Sequence, residues 1–333
     1  MNPLAPSFDR TLARKTLPLL AAQGVCIGTS SWKYPGWLGQ LYSPERYAYR
    51  GQFAQTRFDR LCLAEYAETF STVCVDAAYY RFPEPRFLSS LADAVPEDFQ
   101  FTFKVTDEIT LKRFTRLPRF GDRAGQANPH FLNAELFASH FLGPLEAYRS
   151  KVGVLMFEFS RFYPSDFARG RDFVAALDTF LSQLPAGWRY GIEIRNASFL
   201  QPEYFTTLAR HGVSHVFNSW EAMPPLPDQL ALPDAFASKE HAVARLLLRP
   251  GRDYEEAVKR FQPYDRLQDP YPEGREAIAQ LLGRVAKRDS GVPKVVYVYV
   301  NNRFEGNALQ TIAALVDTLV PRHRPGPTAL AES

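Results

Sequence analysis

The stretch KVVYVYVNNRFEGNALQTIAALVDTL, residues 294–319, contains the pattern that decides the fold of this chain. Its β-branched and aromatic run at residues 295–300 is typical of a strand, and residues 308–319 repeat apolar side chains with the period of a helix. A buried strand followed by an amphipathic helix is the unit from which parallel sheets are built. Seven further runs of the same kind precede it in the chain.

Strand-like runs alternate with helical patterns over almost the entire chain. Strands are predicted at residues 25–28, 72–75, 100–104, 152–157, 190–194, 214–217, 244–248 and 295–300. Helices are predicted at residues 58–70, 87–94, 133–147, 164–184, 202–211, 273–287 and 308–319, with an irregular, proline-rich crossover at 224–237. Eight such units predict an α/β fold, a single-domain TIM-type (β/α)8 barrel. The alternative is an open α/β sheet, but no GxGxxG or Walker-type turn follows any strand.

The composition is that of a folded globular chain. The 333 residues include 39 Lys and Arg against 36 Asp and Glu, and 46% are hydrophobic. These values exclude a disordered or collagen-like chain. Three cysteines without CxxC spacing argue against a disulfide framework or a structural zinc site. No stretch approaches the roughly 18 apolar residues of a membrane span, so we expect a cytoplasmic protein that does not contact the membrane.

The length exceeds the roughly 250 residues typical of such barrels. We predict an N-terminal extension at residues 1–22, the barrel domain at 23–320 and a flexible C-terminal tail at 321–333. Long loops at 109–133 and 249–275 follow strands three and seven. They therefore lie on the C-terminal face, where barrel enzymes place their active sites.

Polar residues end several of the predicted strands. Because side chains alternate along a strand, polar residues on the inward face meet at the mouth of a barrel. The residues that this alternation gathers are Asp76, Lys104, Glu158, Glu193, Arg195, Asn218, Tyr299 and Asn301. Burying so many charges is costly unless they pair or meet a ligand. The alternative is that Glu193 and Arg195 form an internal ion pair that only closes the barrel.

Five segments together resemble the DUF72 (YecE-like) family. They are GTSSWKYPGW at residues 28–37, FSTVCVDAAYYRFP at 70–83, FTFKVTDEIT at 101–110, GIEIRNASF at 191–199 and VYVYVNNRFEGNAL at 296–309. The resemblance spans roughly residues 24–320 and implies a TIM-type barrel of unassigned activity. The positions that match its motifs are Gly28, Thr29, Trp32, Trp37, Tyr80, Pro83, Lys104, Glu193, Arg195, Tyr299, Asn301, Asn302, Gly306 and Ala308, and Arg249 matches a later arginine motif loosely. The chain departs from the family pattern at Cys74, Glu158, Asn196 and Asn218, which indicates a divergent branch.

The acids and bases at the mouth point to acid/base chemistry. We predict a metal-independent enzyme acting on a small anionic ligand, phosphorylated or carboxylated, with catalytic residues Glu193, Glu158, Lys104 and Asp76. The predicted ligand-binding residues are Thr29, Trp32, Trp37, Tyr80, Arg195, Asn218, Arg249, Tyr299, Asn301 and Asn302. For the two tryptophans, packing as a lid on the barrel is the alternative. No cofactor or metal is predicted, since no histidine falls clearly at a strand's C-terminal tip.

Two other functional classes stay open. The loop at residues 111–123 carries five Lys or Arg residues against one acid, with Phe114 and Phe120 between them. That pattern is compatible with nucleic-acid binding or with a metal-assisted phosphodiesterase resembling the endonuclease IV-type barrels. A non-catalytic barrel that binds a ligand or partner is the third alternative.

Overall fold

Eight parallel strands close into a barrel in a computed structural model that describes residues 7–320. The strands are β1 (Val25–Thr29), β2 (Thr72–Val75), β3 (Gln100–Lys104), β4 (Val152–Phe159), β5 (Tyr190–Ile194), β6 (Ser214–Ser219), β7 (His241–Leu246) and β8 (Val295–Val300). Each strand pairs with its neighbours in the chain, and β8 closes the ring on β1. The predicted TIM-type barrel is confirmed, and the open sheet is excluded.

Helices surround this ring. The α-helices are α1 (Arg10–Ala22), α2 (Gln55–Ala67), α3 (Pro85–Ala92), α4 (Asp107–Thr110), α5 (Ala134–Leu136), α6 (Gly170–Ser182), α7 (Pro202–Arg210), α8 (Leu226–Leu230), α9 (Tyr254–Phe261), α10 (Pro272–Ala286), α11 (Asn302–Glu305) and α12 (Ala308–Leu319). Turns of 3₁₀ helix lie at Pro35–Trp37, Pro44–Tyr47, Asp76–Tyr79, Pro118–Arg123, Gly143–Lys151 and Ala197–Phe199, and a π-helical turn at Phe137–Leu142. A two-residue hairpin pairs Ala48–Tyr49 with Gln52–Phe53 outside the barrel.

Several predicted boundaries differ from the observed ones. β7 begins three residues before the predicted 244, because His241 already pairs with Val295 of β8. The helix predicted at 164–184 begins at Gly170, because the side chain of Asp172 accepts a hydrogen bond from the amide of Arg169 and fixes the first turn there. The crossover predicted as irregular at 224–237 contains only the short helix α8.

The N-terminal segment, predicted only as an extension, contains helix α1. Leu17 and Leu20 of α1 are buried in the core. Arg10 forms ion pairs with Glu65 of α2 and with Glu68 directly after it, at 2.9 and 2.7 Å. The helix is therefore packed against the barrel. The predicted tail at 321–333 lies outside the described residues.

The barrel interior holds its own apolar layer. Its buried members are Cys74, Val154, Met156, Val216, Val243, Tyr297 and Tyr299. The hydroxyl of Tyr299 donates to Oγ1 of Thr102 at 2.6 Å, which ties β8 to β3 across the interior. Gly28 permits the closure between β1 and β2, since a Cβ there would lie 2.2 Å from the Thr72 carbonyl oxygen. The interior is thus filled below the mouth.

Met156 tests how tightly this layer is packed. Its side chain is fully buried, so Met156→Ala leaves a cavity, and we expect the free energy of unfolding to fall by about 2–5 kcal/mol. Leu19→Ala is the control, because Leu19 is 67% exposed and its truncation changes stability by about 0.5 kcal/mol or less. Urea denaturation of both variants measures the difference, and equal losses would contradict a packed interior.

Candidate functional site

A polar layer lies directly above the apolar interior, at the C-terminal ends of the strands. Glu158 stands two residues after Met156 in β4, and Arg245 two residues after Val243 in β7. Since alternate residues share a face, each polar side chain continues the inward row that its apolar neighbour begins. The alternation of side chains along the strands therefore places these two polar side chains at the barrel mouth.

Six charged residues of this layer form one cluster, which we call the ion-pair network. Its members are Asp76, Lys104, Glu158, Glu193, Arg195 and Arg245. They lie in strands β2, β3, β4, β5 and β7 or in the turns directly after these strands. Residues far apart in the sequence therefore meet at one opening. The three acids and three cations balance in charge.

Glu158 accepts the most contacts in the network. Its Oε2 lies 2.9 Å from Nζ of Lys104, 3.1 Å from Nη2 of Arg195 and 2.8 Å from Nη1 of Arg245. Burial raises the pKa of Glu158, but the three cations outweigh burial and hold it well below its usual range. Burial lowers the pKa of Lys104, and the charges of Glu158 and Asp76 raise it above its ordinary value. Both groups are therefore ionised at neutral pH.

Arg245 joins the three acids, and sequence analysis missed it. Its Nη1 donates to Oε2 of Glu158 and to Oε2 of Glu193, both at 2.8 Å. Its Nη2 donates to Oδ1 of Asp76 at 3.2 Å. The signal was present in the run HAVARLLL, where alternation puts Arg245 on the face of Val243, the interior face.

The lower part of the network is completely buried, and its upper edge is partly accessible to solvent. Glu193 has no exposed surface, and its Oε1 lies 2.5 Å from Nη2 of Arg195. Lys104 and Glu158 keep about a tenth of their side chains exposed, at 11% each, and Asp76 keeps 34%. A ligand at the mouth can therefore reach Lys104, Glu158 and Asp76, while Glu193 lies beneath them.

Two aromatic rings pack against cations of the network. Nζ of Lys104 lies 3.6 Å from the centre of the Tyr79 ring, and the guanidinium of Arg195 lies 3.9 Å from that of Trp220. Such cation–π contacts hold a cation in place without neutralising its charge. Neither ring was predicted, because Tyr79 lies in a 3₁₀ turn and Trp220 in a loop, and both approach the mouth only when the barrel is closed.

A cleft of about 320 Å³ opens onto the network. We call it the mouth cleft, and its lining residues are Glu158, Ser160, Arg161, Tyr163, Arg195, Trp220, Glu221 and Ala222. A volume of this size is at the lower end of the range for small-molecule sites. Two charged groups of the network, Glu158 and Arg195, thus face a space that a small ligand can fill.

Several predicted ligand-binding residues have structural contacts instead of facing this cleft. The amide and the hydroxyl of Thr29 both donate to the Tyr66 hydroxyl, at 3.1 and 3.0 Å. Trp37 is fully buried, and its indole donates to Oδ1 of Asn302 at 3.3 Å. Asn301 caps α11, since its Oδ1 accepts a hydrogen bond from the amide of Arg303. The packing interpretation of Trp37 fits these contacts.

The remaining predicted ligand residues are spread around the face. Asn218 is buried beside Arg245, opposite it in the pairing of β6 with β7. Trp32 is buried in the core, Tyr299 lies in the barrel interior, and Tyr80 is 63% exposed. Arg249 lies 3.6 Å from a carboxylate oxygen of Asp269. Of these, Asn218 on β6 and Tyr299 on β8 both lie opposite Arg245 in the strand pairing.

The basic loop at residues 111–123 is partly neutralised. Arg119 pairs with Asp107, and Arg123 pairs with Glu108 at 2.5 Å. Phe114 and Phe120, predicted as candidates for stacking on bases, are buried against each other at 5.2 Å between ring centres. Their rings therefore pack within the loop.

Residues 7–320 contain neither a helix that could span a membrane nor a cluster of metal-binding side chains. None of the helices in this range is long and apolar enough to cross a membrane. No group of three or more His, Cys, Asp or Glu side chains in the same range is arranged to hold a metal ion.

Comparison with known proteins identifies relatives. A family model described as "Protein of unknown function DUF72" matches residues 26–331. A crystal structure of a DUF72 family protein from Enterococcus faecalis V583 is 21% identical, with a TM-score of 0.57 over 89% of this chain and 95% of that one. A DUF72 family protein from Thermotoga maritima MSB8 is 19% identical, with a TM-score of 0.58 over 89% and 98%. No curated protein matches this chain.

Arg245 provides a test of whether the network acts as a unit. Arg245→Met removes the cation that joins three carboxylates and leaves their negative charge in excess, so we expect the free energy of unfolding to fall by about 3–5 kcal/mol. Arg86→Met, at an exposed position of α3, is the control. Urea denaturation measures both, and a loss below about 1 kcal/mol for Arg245→Met would mean that the acids do not depend on it.

Glu158 predicts a pH dependence of stability. Its pKa is lower in the folded than in the unfolded chain, so its contribution is complete well above pH 4.5, its ordinary value, and is lost as the pH falls below it. We therefore expect the free energy of unfolding to decrease with acidification in this range, and Glu158→Gln to flatten that decrease. Glu276→Gln, at an exposed position of α10, should keep the wild-type slope. Identical slopes for all three proteins would contradict the depressed pKa.

Proposed function

We propose that this chain, which belongs to the DUF72 family, is a metal-independent acid/base enzyme acting on a small anionic ligand at the barrel mouth. One observation carries the proposal: a charge-balanced network of three acids and three cations opens onto a cleft at the C-terminal face. Enzymes with this fold use that face for catalysis.

The stability of the fold alone does not explain why the chain keeps this network. Taking charges out of water costs as much as their pairing returns, so apolar side chains of similar size would hold a barrel as well. Polar atoms in the network also lack hydrogen-bond partners among the described residues, including Nη1 of Arg195, Nε of Arg245 and Oδ1 of the adjacent Asn218. Buried groups in this condition are expected at sites that bind polar ligands.

We assign the proton donor to Lys104 and the proton acceptor to Asp76. The carboxylates around Lys104 raise its pKa, so its ammonium carries a proton to give to a basic atom of the ligand. Asp76 is the most exposed acid of the network, and its contacts with Arg245 and Cys74 both use Oδ1. Its Oδ2 takes part in neither contact and is suited to accept a proton.

The other members of the network have electrostatic and positioning roles in this proposal. Arg195 lines the mouth cleft beside Trp220 and binds a polar or anionic group at the reactive end of the ligand. Glu158, which sequence analysis predicts together with Glu193 as a catalytic acid, stays ionised because three cations surround it, and it holds Lys104 in its protonated form. Glu193 is completely buried and therefore orients Arg195 and Arg245 without touching the ligand.

The proposal uses no metal because of the chemistry of the donor set. Each carboxylate of the network already contacts an ammonium or guanidinium group within 3.2 Å. A metal ion would have to displace these cations to reach the oxygens. Proton transfer and binding of an anion require no such rearrangement.

The test is a thermal-shift screen of phosphorylated and carboxylated metabolites, followed by product analysis for each compound that stabilises the protein. We expect Lys104→Met to weaken the ligand-induced stabilisation, while Asp76→Asn keeps binding and loses turnover about 10²–10⁴-fold. Lys259→Met, on the exposed face of α9, is the matched control. Stabilisation unchanged in Lys104→Met would put the ligand elsewhere, and binding without turnover of any compound would favour the non-catalytic alternative.

A further inference from the structure

A second and larger cleft adjoins the mouth cleft. It has a volume of about 490 Å³ and lies between the loop after β3 and the loop after β4. We call it the basic cleft, and it is lined by residues 110–116, Gly125, residues 160–163, Ser165 and Asp166. Ser160, Arg161 and Tyr163 line both clefts, so the two spaces share a wall.

The electrostatics of the two clefts differ. Four cations line the basic cleft, namely Lys112, Arg113, Arg116 and Arg161, with Asp166 as the one acid in its lining. Within the described part of the chain, none of these four cations has a carboxylate within 4.0 Å, unlike Arg119 and Arg123 of the same loop. The Asp166 carboxylate accepts a hydrogen bond from the amide of Tyr163 at 3.0 Å. The basic cleft therefore keeps a surplus of positive charge.

Two of these cations, Lys112 and Arg113, are held in position by contacts with the loops that form the cleft. Nζ of Lys112 lies 4.0 Å from the centre of the Phe167 ring. Nη1 of Arg113 donates to the Gly125 carbonyl at 2.8 Å. The loop backbone is closed by hydrogen bonds between Phe114 and its partners Gly125 and Gln126, at 2.9 and 3.0 Å. A site that is ordered in advance loses less entropy when it binds.

We infer that the basic cleft binds a phosphate group of the ligand. The reactive end of the same ligand lies at the ion-pair network, so this inference rests on the proposed function. A phosphate carries up to two charges and accepts hydrogen bonds through several oxygens. The cleft offers arginines, a lysine and the hydroxyls of Thr115, Ser160 and Ser165. The shared wall at Arg161 lets one molecule occupy both spaces. The substrate class is therefore a small phosphorylated compound.

The phosphate group that binds there belongs to a small molecule and not to a nucleic acid. A nucleic-acid strand would offer the same group, but strand binding is favoured by aromatic rings exposed for base stacking. The two phenylalanines of the loop are buried, at 3% and 5% exposure for Phe114 and Phe120. The test therefore also measures binding of an oligonucleotide.

The experiment is calorimetric titration of the full chain with inorganic phosphate at fixed ionic strength. In the double variant Arg116→Gln, Arg161→Gln, we expect the dissociation constant to rise by about tenfold or more, because two charge-assisted contacts are lost. The control is Arg86→Gln, Arg171→Gln, which changes the net charge equally at exposed positions outside both clefts. Lys104→Met should bind phosphate like the wild type.

The outcomes separate this inference from the proposed function. Equal losses in the two double variants would mean that phosphate responds to net charge, and the inference would be overturned. Loss of phosphate binding in Lys104→Met alone would assign phosphate to the network, overturning the inference and leaving the proposed function intact. A twelve-nucleotide single strand that binds the wild type and loses affinity in the Arg116, Arg161 variant would assign the cleft to a nucleic-acid backbone and also overturn it.

Discussion

Charge balance inside a closed ring is the constraint on which the mouth of this barrel depends. The guanidinium of Arg245 contacts Asp76, Glu158 and Glu193 at once. Glu158 and Glu193 are also joined by Arg195. Because the low dielectric of the interior penalises an unmatched charge, each cation there requires an acid nearby. The identity of the residues at the ends of β2, β4, β5 and β7 is therefore coupled, although they are distant in sequence.

The fold was predictable because it rests on local pattern. The run VVYVYV at residues 295–300 and its seven counterparts are strand-like in composition, and alternation along them correctly directs Glu158 and Glu193 inward. The site was predictable only in part, because pairing depends on distances between strands. Arg245 lies in an apolar run that reads as a core strand, and nothing local marks it as the partner of three acids. Asn301 matches a family motif, while its role as the cap of α11 follows from the turn after β8.

Two regions of different net charge adjoin on the C-terminal face of the barrel. The ion-pair network is internally neutral, so it can hold charged groups in fixed positions without attracting ions of either sign strongly. The basic cleft beside it has unmatched cations, and Arg161 belongs to the wall between the two. A phosphorylated ligand would be attracted by the second region and acted on by the first. This separation of binding energy from chemistry is a recurrent way to raise selectivity for the transition state.

The central claim is that the network is retained for chemistry and not for stability, and the double variant Lys104→Met, Glu158→Met tests it most directly. It removes one cation and one acid, so Asp76, Glu193, Arg195 and Arg245 remain balanced. Our account predicts a free energy of unfolding equal to or above that of the wild type, measured by urea denaturation at neutral pH, because apolar side chains replace a costly buried pair. A loss of about 3 kcal/mol or more would contradict it and identify the charges as part of the fold.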